Sequence, residues 1–348
     1  MKIGIITFHW GTNYGAVLQA FALQKYLTDI GNTVEIIDYY PVFFRKNVRK
    51  CIHPKHPFRT LREMRELIKE KKLECFRKKF LNRTPYFSSN NELRSADFNY
   101  DCFISGSDQI WNMSFIKFGE QRKTFSYFLD FVPNDRLIVS YAASFGTCEC
   151  EEDLKDEIST CLKRYNFVSV RETSGLKIVK ELGIKEAVIV PDPTLLLQRV
   201  DYERLFKQTK SNKKSALVYM LHDKMSTALP VINAVSQKKY SIKRIKQDSI
   251  KSWLYKIYNS DLVITNSFHG IVFSIIFHVP FVAMLIEGSG MNDRIHTLLG
   301  ELGLNDRIFN GDMSIIEKEI NWENVDEKLS DYRIKGQEYL NLIIGSGE

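Results

Sequence analysis

No run in this 348-residue chain is long and apolar enough to cross a bilayer, and its six cysteines (51, 75, 102, 148, 150 and 161) form no C-x-x-C pair. The most apolar stretch, residues 271–286, is interrupted by Ser274, His278 and Pro280 and falls short of the roughly 20 clean residues a spanning helix needs. The opening run Ile3–Phe8 is shorter than the core of an export signal and passes straight into polar residues, so no export signal is expected. Cys148 and Cys150 stand too close for a metal half-site, and no histidine follows at ligand spacing. Reduced thiols and a cytoplasmic setting are therefore expected. A zinc-protease helix, a Ser-His-Asp order, a dinucleotide glycine loop and a Walker loop are all missing, as are internal repeats and low-complexity tracts. Hydrolase and metalloenzyme chemistry drop away, and neither a metal nor a resident cofactor is expected.

What is present is ordinary globular composition: 44% hydrophobic with 26% charged residues belongs to a folded chain, and the length calls for two domains. The net charge of +7 is concentrated. Residues 45–83 hold 15 Lys and Arg against four Glu and no Asp, a net +11, which leaves the rest of the chain at −4. Within this basic insert Leu61, Met64, Leu67, Ile68, Phe76 and Phe80 fall near one helical face. The insert reads either as a pair of helices packed on the first domain with a solvated basic face, or as a docking element for acidic phospholipid headgroups or a polyprenyl-phosphate carrier. The second reading makes the protein peripheral to the inner face of the membrane. A basic insert on an otherwise acidic body suggests contact with an anionic surface rather than a basic protein in general, and no nucleic-acid partner is expected.

Along the chain, short buried strands alternate with helices. Ile3–Phe8, a helix through Val17–Leu27 and Val34–Asp38 form a first βαβ unit, and strands follow at 100–105, 137–142, 167–170 and 187–190. Each ends in a small or polar cluster, as the ligand-facing edge of a parallel sheet should. The punctuation Pro191-Asp192-Pro193 marks a boundary, giving domains 1–195 and 196–348. The second begins its own alternation at 215–220 and closes with C-terminal helices.

The sharpest candidate is the turn Asn266-Ser267-Phe268-His269-Gly270, between the strand 262–265 and an apolar helix from 271. The helix N-terminus there offers N–H groups and a positive dipole end to an anion, and Gly270 lets the backbone approach closely. A histidine beside that anion can deliver a proton, since the anion offsets the dipole; the plainer reading has Ser267 and His269 only capping the helix. Arg171, just after a strand, suits a phosphate or carboxylate grip, or else a salt bridge to Glu172 or a neighbouring acid. Asp108 reads as a substrate-binding group or an N-cap, and Trp111 as a sugar platform or core. The turn 10–15 is a weak phosphate-loop signal. His9 reads as catalytic or as closing the strand, His278 as structural, and His222 and His296 carry no assigned part.

Six motifs carry a resemblance: Thr-Asn-Tyr-Gly-Ala-Val-Leu-Gln-Ala (12–20), Gly-Ser-Asp-Gln-Ile-Trp-Asn (106–112), Ser-Tyr-Ala-Ala-Ser-Phe-Gly (140–146), Val-Ser-Val-Arg-Glu (168–172), Pro-Asp-Pro-Thr-Leu-Leu-Leu (191–197) and Thr-Asn-Ser-Phe-His-Gly (265–270). In this order they resemble the polysaccharide pyruvyl transferases, from the first strand to about residue 310. The resemblance implies an α/β fold of two Rossmann-like domains facing across a cleft (GT-B-like), with the acceptor on the first and the donor on the second. It implies phosphoenolpyruvate as co-substrate, a saccharide acceptor, free or carrier-linked, and a pyruvate ketal as product. By motif match His269 would be the essential histidine and Arg171 a donor-holding arginine, with Asn266, Ser267 and Gly270 around the donor. Where some members carry an arginine two positions before that histidine, this chain has Ser267, which makes Arg294 the candidate replacement. Asp108 would orient or deprotonate the acceptor, among Asn13, Tyr14, Gly15, Gln109 and Trp111. The rival expectations are a nucleotide-sugar glycosyltransferase of the same fold and a non-catalytic saccharide-binding protein.

Overall fold

A computed structural model describes residues 1–41, 51–53, 56–120, 123–209, 213–221 and 224–346. Part of the basic insert (45–50, 54 and 55) and His222 lie outside the described residues. The chain forms two compact units, residues 1–196 with 333–348, and residues 197–332.

In the first unit the elements run β1 (Lys2–Ile6), α1 (Tyr14–Asp29), β2 (Thr33–Ile36), α2 (Pro57–Phe80), α3 (Asn90–Ser95), β3 (Cys102–Ser105), α4 (Met113–Phe118), β4 (Leu137–Ser140), α5 (Lys155–Leu162), β5 (Ser169–Val170), α6 (Thr173–Glu181) and β6 (Val188–Ile189). The sheet order is β2-β1-β3-β4, all parallel, with Ile5 registered against Ile36 on one side and Ile104 on the other. The pair β5-β6 continues it through bridges from Val139 to Phe167 and from Ala143 to Val170. Helix α1 is buried along ten consecutive residues, Tyr14 to Leu23, because its sequence is apolar on every side.

The second unit holds α7 (Arg199–Glu203), β7 (Ser215–Tyr219), α8 (Leu229–Gln237), β8 (Ser241–Arg244), α9 (Ile250–Tyr258), β9 (Leu262–Thr265), α10 (Phe268–Ile276), β10 (Phe281–Ala283) and α11 (Asp293–Leu302). Its parallel sheet runs β8-β7-β9-β10. Strand order reverses between β1 and β3 and again between β7 and β9. Ligands of open parallel sheets bind beyond the strand C-termini at such points.

Two expectations change. Among its described residues the basic insert forms one 24-residue helix, α2, rather than a pair. Only Leu73, Phe76 and Arg77 of it are buried, while Leu61 and Ile68, expected on the packed face, are 50% and 49% exposed. Its last two turns pack on the unit and its first turns overhang, held helical by local pairs such as Arg59–Glu63. The second change is at the C-terminus. Helix α12 (Trp322–Gly345) leaves the second unit at Tyr332, and residues 333–348 complete the first unit. The cause is apolar burial: Tyr339, Leu340 and Ile343 join the core of Ile3, Ile5 and Val139. Gly336 permits the contact, since a Cβ there would lie 2.5 Å from the Tyr141 hydroxyl. Among the described residues, no helix is long and apolar enough to cross a membrane.

Candidate active site

The fully buried strand β9 delivers its polar end to the switch point of the second unit. Thr265 Oγ1 donates to the Tyr219 carbonyl at 2.6 Å and accepts from the Ser267 N–H at 3.0 Å, tying β9 to β7. Asn266 continues the tie. Its Oδ1 accepts from the Leu221 N–H at 2.7 Å and its Nδ2 donates to the Leu221 carbonyl at 3.1 Å. Its amide fixes the loop leaving β7. Ser267 is the N-cap of α10, its Oγ accepting from the Gly270 N–H at 3.2 Å. The helix therefore begins at Phe268, three residues earlier than its apolar pattern indicates, and His269 sits inside the first turn.

His269 is 5% exposed, with its ring edge-on to Phe268 at 5.2 Å between centroids. The guanidinium of Arg294, in the first turn of α11, lies 5.7 Å from the centre of that same Phe268 ring. Gly270 is dictated by space: a Cβ would stand 2.7 Å from Thr265 Oγ1. The second unit thus brings together Asn266, Ser267, His269, Gly270 and Arg294 at the positive end of a nine-residue helix. Such a turn can hold an anion on backbone N–H groups with a histidine and a cation beside it.

The first unit uses its strand ends differently. Thr7 Oγ1 donates to the Ser107 carbonyl at 2.7 Å, and buried Gln19 donates to Thr7 Oγ1 at 2.9 Å, joining the exits of β1 and β3. Behind them lies Arg171, 2% exposed. It reaches Asp192 Oδ2 at 2.8 Å, Glu172 Oε2 at 3.4 Å and Asp108 Oδ1 at 3.8 Å. Burial alone would lower the guanidinium pKa, but Glu172, Asp192 and Asp108 raise it above the ordinary value. Asp192 also accepts from Ser107 Oγ at 3.1 Å and from Thr194 through its N–H and hydroxyl. The expected salt bridge of Arg171 to Glu172 or a neighbouring acid is present, and its guanidinium lies among three carboxylates that tie motifs 106–112, 168–172 and 191–197 together. Asp108 is 6% exposed, adopts a left-handed φ of 72°, and accepts from the Gln109 N–H at 2.9 Å.

The expected acceptor residues separate. Trp111 is fully buried, stacked on Phe128 at 5.2 Å, so its ring belongs to the core and not to a sugar platform. Tyr14 is buried beneath Lys69, whose Nζ is 4.5 Å from the ring centre. Asn13 is exposed and caps α1 through the Gly15 N–H at 3.0 Å, and half-buried Gln109 packs against Gly146. Asp192, read as punctuation and as part of the motif 191–197 but given no role, is the residue the sequence reasoning missed. Its Asp-Pro-Thr capping pattern was readable, but its pairing with Arg171, 21 residues away, was not. Elsewhere, His278 stacks on Trp322 and reaches Asp326 at 2.9 Å, and His296 is exposed. Among the described residues no group of three His, Cys, Asp or Glu is placed to hold a metal ion.

A family model described as polysaccharide pyruvyl transferase matches residues 13–287, which spans most of the chain. The chain belongs to this family. The matched span contains the His269 turn and the Arg171 cluster, whereas Arg294 and α12 lie beyond it. No curated protein matches the sequence. Among solved structures, this family member is similar to UDP-GlcNAc 2-epimerase from Neisseria meningitidis bound to UDP-GlcNAc, at 9% identity and TM-score 0.52, covering 99% of this chain and 94% of that one. It is similar to UDP-N-acetylglucosamine 2-epimerase from Rickettsia bellii at 10% identity and TM-score 0.52, covering 100% and 97%. The S. aureus MnaA–UDP co-structure matches at 12% identity and TM-score 0.53, covering 95% and 91%. At such identities the likeness is one of fold alone, a GT-B-like fold with two Rossmann-like domains.

Proposed function

We propose that this pyruvyl transferase family member moves the enolpyruvyl group of phosphoenolpyruvate onto a saccharide of a surface-polysaccharide precursor, forming a pyruvate ketal. One observation carries the reading: His269 stands in the first turn of α10, beneath the Ser267 cap and with Arg294 on the adjoining Phe268 ring. The N–H groups of that turn and Arg294 take the phosphate and carboxylate, where charge must be held without water. His269 protonates the methylene carbon, which becomes a methyl group, and a sugar hydroxyl adds to the neighbouring carbon. Phosphate then leaves with its bridging oxygen. A second hydroxyl of the same sugar closes the ketal; of the two hydroxyl protons, one restores His269 and the other leaves on phosphate. Arg171 supports this chemistry by fixing the loops of the first unit, the Asp108 loop among them.

The test is phosphate release from phosphoenolpyruvate in the presence of glycosides bearing neighbouring hydroxyls. We expect release that depends on the glycoside and falls about 10²–10⁴-fold in His269→Ala, the usual size of a proton-transfer contribution. Full activity in that variant overturns the reading. Thermal stabilisation by uridine diphosphate but not by phosphoenolpyruvate would instead favour a nucleotide-sugar enzyme, a reading that the fold alone also suits.

The overhanging turns of α2 support a carrier-linked acceptor. Phe58 is 88% exposed and Leu61 50%, with exposed Arg59, Arg62 and Arg65 in the same turns. Apolar side chains among arginines suit an anionic bilayer surface. Cosedimentation with phosphatidylglycerol vesicles, absent with phosphatidylcholine and lost in Phe58→Ser/Leu61→Ser, is the expected result; equal binding to both lipids sinks it.

A further inference from the structure

A cavity of about 1020 Å³ opens in the first unit between α2 and the loops leaving β1 and β2. That is the upper end of the range for small-molecule sites, about 300–1,000 Å³. One wall is aromatic: Trp10 and Tyr40 stack at 4.4 Å with 10° between their planes, and Tyr86 donates to the Tyr40 carbonyl at 2.7 Å. A ladder of alternating charge lines the same cavity. His9 Nε2 meets Asp38 at 2.9 Å, Asp38 meets Arg83 at 3.3 Å, and Arg83 meets Glu74 at 2.7 Å. Arg77 then joins Glu74 at 3.0 Å to Glu70 at 2.7 Å. Arg77, 2% exposed, also donates to the carbonyls of His9 at 2.6 Å and Gly11 at 2.9 Å, so the cavity is braced before any ligand arrives.

The chemistry of these walls selects a ligand class. Guanidinium and carboxylate groups neutralise one another, which leaves little net field to recruit an ionic molecule. Burial alone would raise the carboxyl pKa of Asp38 and Glu74; the His9 bond and Arg83 on Asp38, and Arg83 with Arg77 on Glu74, hold both below the usual range. Both therefore stay ionised acceptors near neutral pH, with lone pairs for hydroxyl groups. An aromatic pair beside hydroxyl acceptors suits a ring with one apolar face and a polar rim. Exposed Lys71 and Lys78, which also line the cavity, suit a phosphate or carboxylate farther along such a chain.

We propose that this cavity is the saccharide-acceptor site, built from α2 and the exits of β1 and β2. The proposal rests on the pyruvyl-transfer reading for what happens to the sugar, but its test does not. Exposed Cys75 lines the cavity, and exposed Cys148 serves as an internal control. The wild-type protein is labelled with a maleimide in the presence of methyl glycosides of glucose, galactose, mannose and their N-acetyl forms, and each cysteine is followed by peptide mass spectrometry. At least one glycoside should slow Cys75 by about fivefold at about four times its dissociation constant, leaving Cys148 unchanged. Unchanged Cys75 labelling with the whole panel overturns the proposal. A Cys75→Trp variant, altered on an exposed helix surface that tolerates the change, should raise the acceptor KM about tenfold with phosphoenolpyruvate binding intact; an unchanged KM overturns it too. Protection of Cys75 without any turnover of phosphoenolpyruvate would leave the cavity standing and remove the pyruvyl-transfer reading.

Discussion

The two sheets end in the same device and use it for different things. In each unit a threonine hydroxyl at a strand exit donates across the switch point to the neighbouring strand's exit: Thr7 to the Ser107 carbonyl, Thr265 to the Tyr219 carbonyl. Beyond Thr7 the polar groups bind one another, with Arg171 among three carboxylates. Beyond Thr265 the polar groups bind backbone, and what they hold in place is a helix start with His269 in it. Motifs of similar polarity thus divide into a brace and the centre proposed for the reaction, and the identity of their partners tells them apart.

That contrast can be broken by mutation. The largest effect on function is expected at His269→Ala, a loss of about 10²–10⁴-fold in transfer with little change in urea midpoint. A large drop in stability would make His269 part of a brace as well. Asp192→Ala should do the reverse. Leaving Arg171 short of a counter-ion at a fully buried position costs about 3–5 kcal/mol, read as a fall in the urea midpoint; a near-neutral result would mean that the ion cluster is not what holds the loops. Asn266→Ala strands the Leu221 N–H and carbonyl and should cost about 1–3 kcal/mol, with kcat falling as the β7 loop moves away from His269. Only the stability loss, with kcat intact, would confine Asn266 to scaffolding.

The smallest effect concerns acid. Asp38 and Glu74 have folded-state pKa values below their ordinary ones, so the unfolded chain takes up protons first. Their contribution is complete above the ordinary carboxylate range, about pH 4, and is lost as pH falls through the lower folded values. Urea midpoints measured from pH 6 downward should therefore decline below about pH 4, and Arg83→Met should flatten that decline. An identical slope in the variant would show that the ladder adds nothing.

Much of this was legible in the sequence where the signal is local. Apolar runs located the strands, but Thr7 and Phe8 leave the sheet early because Thr7 turns its hydroxyl to β3. Ser267 was legible as a helix cap, and its Oγ does accept from the Gly270 N–H; the apolar run from 271 only set the helix start three residues late. Non-local pairing was not legible. Nothing near Arg171 reveals that Asp192 will meet it, and nothing in the apolar spacing of α2 shows where its packing stops. Trp111 was ambiguous by chemistry, since a sugar face and a core ask for the same ring. The cavity beneath α2 draws on segments around residues 10, 40 and 75, and only the fold joins them.

The final turns of α12 have a consequence for synthesis. The second unit is one continuous segment, residues 197–332, whereas the first needs residues 333–348 to cover Ile3 and Ile5. Domains usually fold in the order in which they leave the ribosome. Here the earlier half must wait with an open apolar seam until the last helix emerges, while the later half can close first. A nascent chain stalled before residue 333 would carry that seam uncovered, the state most prone to chaperone capture.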